Sequence, residues 1–286
     1  MKQPKVLVIQ DISASCQISM NVALPILSSL NNSTSILPTA LLSTHTGSGF
    51  EDYTFLDLTS EMEKILHHWR QLGISFDGVL IGYLGSHAQM NIVKRVIREF
   101  TTDEAIIVLD PVMGDHGKLY AGFDEEYVQQ MRELCQLSTV VIPNMTEAAY
   151  LTQMPYHEGP QMKQEIELVM QKMLEWNQQQ VILTGVMPSE HEIGAASCSF
   201  QAAQVKYAFS PIYPGHFDGT GDLFSSVVAG LLFQKATLEL ATETAVTYVE
   251  KVIQRTVASK LDPKYGVQFE TDLPYLMEKA AQLRNE

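Results

Sequence analysis

The sequence predicts an α/β fold in which helices flank a largely parallel central sheet. Short runs of Val, Ile and Leu alternate with longer segments of helical periodicity, a pattern typical of strand–helix–strand crossover units. Some runs, such as 105–109, are apolar without a break, which indicates strands buried on both faces. A chain of 286 residues that is 45% hydrophobic can bury a sizeable core, so we predict a single domain over residues 1–286.

The individual elements follow in order along the chain. Strands are predicted at 5–9, 36–43, 78–82, 105–110, 139–143 and 180–184. Helices are predicted at 17–30, 60–73, 87–100, 124–137, 160–177, 220–235 and 238–258. Ser60 and Glu63 are expected to form a capping box for the second helix, and Asp272 to cap a final one. After residue 185, two short antiparallel strands, about 194–200 and 203–209, lead to a glycine turn.

Charge, apolar runs and cysteine spacing limit the binding partners, the compartment and the metal or disulfide chemistry that we expect. The formal net charge of −14 argues against nucleic acid, because affinity for its phosphate backbone comes from clustered Lys and Arg. No apolar run is long enough for a signal-peptide core or a spanning helix, so we expect a cytoplasmic protein without a membrane partner. Cys16, Cys135 and Cys198 are far apart, which predicts reduced thiols rather than disulfides or a zinc site.

The segment 216–224, His-Phe-Asp-Gly-Thr-Gly-Asp-Leu-Phe, predicts a glycine turn that opens a buried helix. Gly219 and Gly221 allow a tight turn and let an anion approach the main chain, with Thr220 between them. Free N–H groups at a helix start stabilise the charge of a transferring phosphoryl group. A carboxylate weakens plain anion binding, so Asp222 is predicted to take a proton from an attacking hydroxyl. Alternatively, Asp222 merely favours the helix dipole.

Polar residues follow three predicted strands at their carboxyl ends. Asp110 ends the strand at 105–110, Asn144 and Glu147 follow the next one, and Thr184 and Gly185 follow the third. In open α/β sheets, ligands bind at this edge. We therefore predict a solvent-facing site there, although Asp-Pro also starts ordinary turns and Thr-x-x-Glu resembles ordinary helix caps.

These motifs resemble those of the ribokinase-like superfamily, in its vitamin kinase branch. Asp110-Pro-Val-Met-Gly, Pro143-Asn144-Met-Thr-Glu147 and Gly219-Thr-Gly-Asp222 occur in the order and at the separations of that family, over nearly the whole chain. His45-Thr46-Gly47 and Gly82-Tyr83-Leu84-Gly85-Ser86 are similar to the pattern of pyridoxal kinases. The resemblance implies a three-layer α/β/α sandwich with a small antiparallel C-terminal part, a homodimer, and ATP-dependent phosphorylation of the 5'-hydroxymethyl group of pyridoxal, pyridoxine or pyridoxamine.

The resemblance also implies roles at the rim of the sheet. ATP is expected to contact Asn144, Thr184 and Gly185, with its γ-phosphate over an anion hole formed by Gly219, Thr220 and Gly221, beside the base Asp222. Asp110 and Glu147 are expected to organise Mg²⁺, which prefers oxygen ligands and retains several waters. A monovalent cation such as K⁺ is compatible with the pattern.

The vitamin is expected over the end of the first strand. The residues assigned to its pocket are Asp11, Ser13, His45, Thr46, Gly47 and Tyr83. Tyr83 would offer a flat amphipathic face, and His45 would pair with the 3-oxygen of the pyridine ring; the alternative for Tyr83 is a partly buried core tyrosine. The loop 11–17 lacks the glycines that such kinases carry, which leaves the preferred vitamer open.

Two other functions remain compatible with the sequence. A hydroxymethylpyrimidine kinase of thiamine synthesis would share the base and the ATP site, but the segments at 45–47 and 82–83 argue against it. A non-catalytic protein that binds pyridoxal phosphate on the same fold is kept open by the altered N-terminal loop, whereas the retention of Asp222 argues against it. Turnover of the four candidate alcohols would distinguish these functions.

Overall fold

A computed structural model describes residues 3–47, 49–177, 180–202, 204–260 and 262–285. Its strands are β1 Lys5–Ser13, β2 Ser33–Leu42, β3 Phe55–Asp57, β4 Phe76–Ile81, β5 Thr101–Leu109, β6 Gly114–Asp115, β7 Lys118–Leu119, β8 Val140–Val141, β9 Gln180–Ser189, β10 Glu192–Ser199 and β11 Lys206–Pro211. Its α-helices are α1 Met20–Ser29, α2 Thr59–Leu72, α3 His87–Glu99, α4 Glu125–Leu137, α5 Met145–Thr152, α6 Lys163–Asn177, α7 Thr220–Phe233, α8 Leu238–Ser259 and α9 Leu273–Asn285.

The central sheet is largely parallel. Within the described residues it has nine strands in the order β11-β10-β9-β8-β5-β4-β1-β2-β3. The strands from β9 to β2 in this order pair in parallel, whereas β10, β11 and the edge strand β3 pair antiparallel. The strands β6 and β7 form a separate hairpin. This arrangement confirms the predicted parallel sheet and its small antiparallel part.

Two hydrophobic cores lie on opposite faces of the sheet, because successive side chains of a strand point to opposite sides. In β1, Leu7 and Ile9 pack in a core with α2 to α6, while Val6 and Val8 pack in a core with α1, α7, α8 and α9. The three-layer α/β/α sandwich is therefore confirmed. Among the described helices, none combines the length and the apolar character needed to cross a bilayer.

Helix α7 lies close against its neighbours because small residues face them. A Cβ on Gly230 would come within 2.5 Å of a Leu30 side-chain atom of α1, and a Cβ on Gly78 of β4 would come within 2.5 Å of the Phe233 ring at the end of α7. Since Phe233 packs near the amino end of β4, α7 begins at the carboxyl edge of the sheet. The close packing thus fixes where the start of α7 stands relative to the strand ends.

Most predicted elements are present, with three kinds of difference. Strands β1 and β9 continue past their predicted ends, to Ser13 and Ser189. The short elements β3, β6, β7 and α5 were not predicted. The predicted strand at 203–209 begins at residue 203, which lies outside the described residues, and the observed strand is Lys206–Pro211. The cysteines, all described and buried, are thiols as predicted.

The capping box predicted for α2 is wrong. The helix begins at Thr59, and its N-cap residue is Leu58, whose side chain makes no capping hydrogen bond. Asp57 Oδ1 instead accepts a hydrogen bond of 2.9 Å from the Thr59 N–H, and Glu63 binds Arg95 at 2.6 Å. The final helix begins directly after Asp272, whose carboxylate accepts bonds of 2.7 and 2.9 Å from Arg255.

Candidate active site

The start of α7 has the geometry of an anion-binding turn. Gly219 precedes the helix with a φ of 82°, and a Cβ on it would lie 2.6 Å from the Gln17 carbonyl oxygen. Both the backbone conformation and this close approach therefore require glycine. No side chain caps the helix, so its first N–H groups are left for a ligand. A Cβ on Gly221 would meet nothing within 4 Å, which leaves space above them.

Asp222 lies in the first turn of α7 and is half-buried. Its Oδ2 accepts a hydrogen bond of 2.9 Å from the Ser19 N–H, which ties the start of α7 to the N-terminal loop. Burial, aided by the charge of Asp11, raises the pKa of Asp222 to about 7, although the Ser19 N–H opposes this shift. A carboxylate with a pKa near neutrality has the basicity that suits a general base.

Two further acidic groups extend the cluster, with Asp110 near Asp222 and Glu147 near Asp110. Asp110 directly follows β5, where burial and the charge of Asp222 raise its pKa to about 8, while the Ser225 hydroxyl lowers it. Burial also raises the pKa of Glu147 well above its ordinary value, and the charge of Asp110 adds to this effect. The three groups form no ion pair with a Lys, Arg or His side chain within the described ranges.

This acidic cluster fits a hydrated divalent cation better than a fully protein-made metal cage. Counting only residues that the structure describes, no three His, Cys, Asp or Glu side chains are arranged as a metal site. Mg²⁺ does not need one, because it keeps several waters and takes one or two carboxylates together with phosphate oxygens. A positive ion beside Asp110 would offset both the burial and the mutual repulsion that raise the pKa values of the cluster.

Glu147 is not at the solvent-facing rim, contrary to the sequence prediction. Its side chain is only 3% exposed. One carboxylate oxygen accepts the Met113 N–H at 3.1 Å and the other accepts the Asn144 N–H at 2.9 Å. The Glu147 N–H in turn donates to Asn144 Oδ1 at 2.9 Å, which completes a capping box at the start of α5. The motif at 143–147 therefore also forms an ordinary helix cap, the alternative that the sequence left open.

The residues assigned to ATP meet at the end of β8. Asn144 and Thr184 form a parallel bridge, and the Thr184 N–H donates to the Pro143 carbonyl at 2.9 Å. Gly185 has a φ of 70° and lies at a register shift between β9 and β10, so it forms a β-bulge. The Asn144 amide donates to the Gly114 carbonyl at 2.9 Å. Asn144 therefore holds the β6–β7 hairpin over this rim.

Asp11 lies near both Asp222, the predicted base, and Tyr83 of the predicted vitamin pocket. It is a residue of β1, 6% exposed, and accepts a hydrogen bond of 3.0 Å from the Ser13 hydroxyl. Burial raises the pKa of Asp11, while hydrogen bonds from Ser19 and Ser13 lower it. Burial also raises the pKa of the Tyr83 hydroxyl, and the charge of Asp11 adds to that shift. Asp11 thus acts electrostatically on both Asp222 and Tyr83.

His45 is part of the same region, but its ring nitrogens are engaged with the backbone. Nδ1 accepts the Gly47 N–H at 2.9 Å, which leaves Nε2 to donate to the Lys264 carbonyl at 2.7 Å. A Cβ on Gly47 would lie 2.7 Å from Nδ1, so this turn needs glycine. Thr46 is exposed beside it. In this conformation His45 holds the loop in place, and neither of its nitrogens is left for the pairing with the 3-oxygen of a pyridine ring that the sequence predicted.

Sequence analysis missed the contribution of residues 262–266. The Gln17 N–H donates to the Tyr265 carbonyl at 2.7 Å, and Gln17 bridges Gly266. Asp218 was also missed: it lies 3.1 Å from His216 Nε2 and 3.7 Å from His45 Nε2. The only signal was the turn-forming sequence Asp-Pro-Lys-Tyr-Gly at 262–266, which gives no indication of what the turn contacts.

Comparison with known proteins agrees with this geometry. A family model described as phosphomethylpyrimidine kinase matches residues 60–266. A provisionally named phosphomethylpyrimidine kinase from Bacteroides thetaiotaomicron is 36% identical, with a TM-score of 0.91 over 96% of this chain and 94% of that one. A second crystal form of it contains pyridoxal. Pyridoxal kinase from Lactobacillus plantarum is 33% identical, with a TM-score of 0.90 over 98% of this chain and 99% of that one.

A more distant structure shares the fold. Pyridoxal kinase from Leishmania donovani, solved with ADP and pyridoxamine, is 21% identical, with a TM-score of 0.83 over 96% of both chains. These matches confirm the resemblance inferred from the sequence motifs. Some of the matched proteins are named pyridoxal kinase and others phosphomethylpyrimidine kinase. The chain belongs to the phosphomethylpyrimidine kinase family and is an ATP-dependent kinase of small molecules.

Proposed function

We propose that this kinase transfers the γ-phosphoryl group of ATP to the 5'-hydroxymethyl group of pyridoxal, pyridoxine or pyridoxamine. The observation that carries the proposal is the position of Asp222: a carboxyl with a pKa of about 7, held by the Ser19 N–H beside an uncapped helix start. The Bacteroides protein that crystallised with pyridoxal and the pyridoxal kinase from Lactobacillus plantarum support the choice of alcohol.

In the proposed reaction, Asp222 takes the proton of the vitamin hydroxyl as its oxygen attacks the γ-phosphorus. The bond from that phosphorus to the bridging oxygen of ATP breaks, giving ADP and a phosphate ester. The N–H groups at Gly219, Thr220 and Gly221 stabilise the charge on the equatorial phosphoryl oxygens. These groups are set in place before the reaction, because α7 is packed rigidly on the sheet.

Asp110 is the residue proposed to hold Mg²⁺, directly or through water, and Glu147 contributes from its buried position by electrostatic attraction. Bound to the nucleotide, Mg²⁺ would neutralise part of the phosphate charge. Thr184 and Gly185 lie where the nucleotide phosphates cross the rim, while Asn144 keeps the β6–β7 hairpin above them.

The vitamin is proposed to lie between Asp11 and Tyr83, with the loop of His45, Thr46 and Gly47 closing the pocket. Asp11 and Ser13 offer polar atoms to the pyridine ring, and Tyr83 offers its face. We further propose that the enzyme works as a homodimer, as the family resemblance implies. Its mass in solution, measured by light scattering at low concentration, would test that state.

A second candidate is a hydroxymethylpyrimidine kinase, favoured by the name of the matching family model and of the Bacteroides relative. The measurement that separates the two is kcat/KM for pyridoxal, pyridoxine, pyridoxamine and hydroxymethylpyrimidine with Mg-ATP, followed through ADP release. The highest value for a B6 vitamer supports the main proposal. The highest value for hydroxymethylpyrimidine would replace it, and no turnover of any alcohol would refute both.

A further inference from the structure

The backbone of Tyr83–Gly85, beside the proposed vitamin pocket, is held by three buried side chains from three different elements. The Thr39 hydroxyl of β2 donates to the Tyr83 carbonyl at 3.0 Å. The Tyr127 hydroxyl of α4 donates to the Leu84 carbonyl at 2.8 Å. Gln89 Oε1 of α3 accepts the Gly85 N–H at 2.8 Å. Three successive residues are thus tied to the protein through backbone groups, which restricts the turn far more than packing alone.

Gln89 joins this turn to the edge of the sheet. It has no exposed surface. Its amide nitrogen has two N–H groups and lies within hydrogen-bond distance of three acceptors, the Thr39 carbonyl at 2.9 Å, Asp57 Oδ2 at 3.1 Å and the Thr59 hydroxyl at 3.1 Å. One side chain therefore connects the turn with β2 and with the junction of β3 and α2. Only an amide supplies an acceptor on one side and donors on the other at this size.

The position of Gly85 is coupled to the Tyr83 ring. A Cβ on Gly85 would lie 3.5 Å from the Tyr83 hydroxyl oxygen, so the backbone that Gln89 holds lies directly under the hydroxyl end of the ring. The Tyr83 ring also neighbours Phe123, at 6.1 Å between centroids, and Phe123 stacks on Tyr127 at 3.8 Å. A displacement of Gly85 would therefore tilt the Tyr83 ring.

We propose that Gln89 is a positioning residue for substrate recognition: through the Gly85 N–H and the edge of β2 it sets the angle of the Tyr83 ring, and so the fit of the vitamin ring. Gln89 touches neither the substrate nor the base. The proposal rests on the proposed function, because the Tyr83 ring needs a vitamin to face. It predicts that disturbing Gln89 affects the vitamin and leaves the nucleotide unaffected.

The test is Gln89→Glu, which keeps the size of the side chain and an acceptor for Gly85. It turns a carboxylate oxygen toward the Thr39 carbonyl and Asp57, where a donor stood. KM for pyridoxal should rise about tenfold while KM for ATP stays within about twofold, the pattern of a lost alignment on one side of the cleft. Adding Asp57→Asn supplies an amide donor opposite the introduced carboxylate, and should bring KM for pyridoxal back toward the wild-type value.

The matched control is Gln161→Glu. Gln161 is also a buried glutamine, and its Oε1 accepts the Met187 N–H at 2.8 Å near β9, on the other half of the sheet. Its variant should leave KM for pyridoxal unchanged. If Gln89→Glu does not fold, Thr39→Val replaces it in the same assay. This variant removes only the hydroxyl that holds the Tyr83 carbonyl, and it should likewise raise KM for pyridoxal and leave KM for ATP unchanged.

The outcomes separate this inference from the proposed function. Active wild-type enzyme together with an unchanged KM for pyridoxal in the folded Gln89 and Thr39 variants would overturn the inference alone. An equal rise of both KM values would do the same, because it would indicate general damage. A wild-type enzyme that turns over no B6 vitamer would overturn the proposed function, and with it this role for Gln89.

Discussion

Replacing Asp222 by Asn tests two consequences of one half-buried carboxyl. Asn has the same size, and its Oδ1 can still accept the Ser19 N–H that Asp222 accepts at 2.9 Å, so the turn should keep its geometry. The side chain can no longer take a proton. Because a positioned general base contributes about 10²–10⁴-fold, kcat of Asp222→Asn should fall at least about 100-fold.

The same substitution should stabilise the protein at high pH. The pKa of Asp222 is raised from 3.8 to about 7 on folding, so the folded state binds a proton that the unfolded state releases, and stability falls as the pH rises through this range. Three pKa units correspond to about 4 kcal/mol, which partial solvent exposure reduces to about 2 kcal/mol. Asn lacks this penalty. We expect Asp222→Asn to melt roughly 5 °C higher than wild type at pH 8.5.

Both effects can be measured on the same two proteins. The rate of ADP release with saturating pyridoxal and Mg-ATP gives kcat, and thermal melts at pH 4 and pH 8.5 give the stability difference. Near pH 4 the difference should be below about 1 kcal/mol, because the wild-type carboxyl is then protonated in the folded state and partly so in the unfolded state. A kcat of Asp222→Asn equal to that of wild type would refute the role of Asp222 as the general base. A difference in melting temperature that does not change with pH would refute the account of the buried charge.

The remaining predictions concern the pH profile, the cation and the vitamin pocket. For wild-type enzyme, kcat/KM for pyridoxal should rise with pH, reaching half of its plateau value near pH 7 as Asp222 loses its proton; a flat profile from pH 5.5 to 9 would contradict this. Asp110→Asn should raise the Mg²⁺ concentration for half-maximal rate several-fold without lowering the melting temperature. Glu147→Ala should lose at least about 1–2 kcal/mol of stability in denaturant titrations at pH 4, because it leaves the Met113 and Asn144 N–H groups without their acceptors. An unchanged Mg²⁺ requirement would refute the role of Asp110, and an unchanged stability would refute the capping role of Glu147. Tyr83→Ala should raise KM for pyridoxal about tenfold and leave KM for ATP unchanged, and equal changes would indicate structural damage.

The elements that the sequence predicted are those with a long, regular apolar pattern. Helices α3 and α4 were predicted to within one residue at each end, because their apolar positions repeat over three turns and Ser86 and Asp124 cap them. Helix α5 has only eight residues, and nearly all of them are buried, so it has no polar face to reveal the helical period. Strand β3 has three exposed residues and no alternation at all.

At the site, strand ends could be predicted and side-chain partners could not. Asp110 and Thr184 follow apolar runs, and the carboxyl ends of parallel strands meet at one edge, so their proximity follows from the fold class. The inward turn of Glu147 depends on N–H groups of Met113 and Asn144, and both bonds of His45 depend on loop geometry. The Lys264 carbonyl that His45 meets is 219 residues away in sequence, beyond the reach of any local pattern.

The contacts around Gln17 have a consequence for the nascent protein. Ser19 binds Asp222 across 203 residues of sequence, and Gln17 contacts the turn at Tyr265 and Gly266. Contacts this distant in sequence form slowly, because the loop that they close must be ordered first. On the ribosome, the surroundings of Asp222 are incomplete until residue 266 has emerged. Until then the chain lacks the turn at Tyr265 and Gly266 that holds the Gln17 backbone near Asp222, so we expect activity to begin only after that turn has formed.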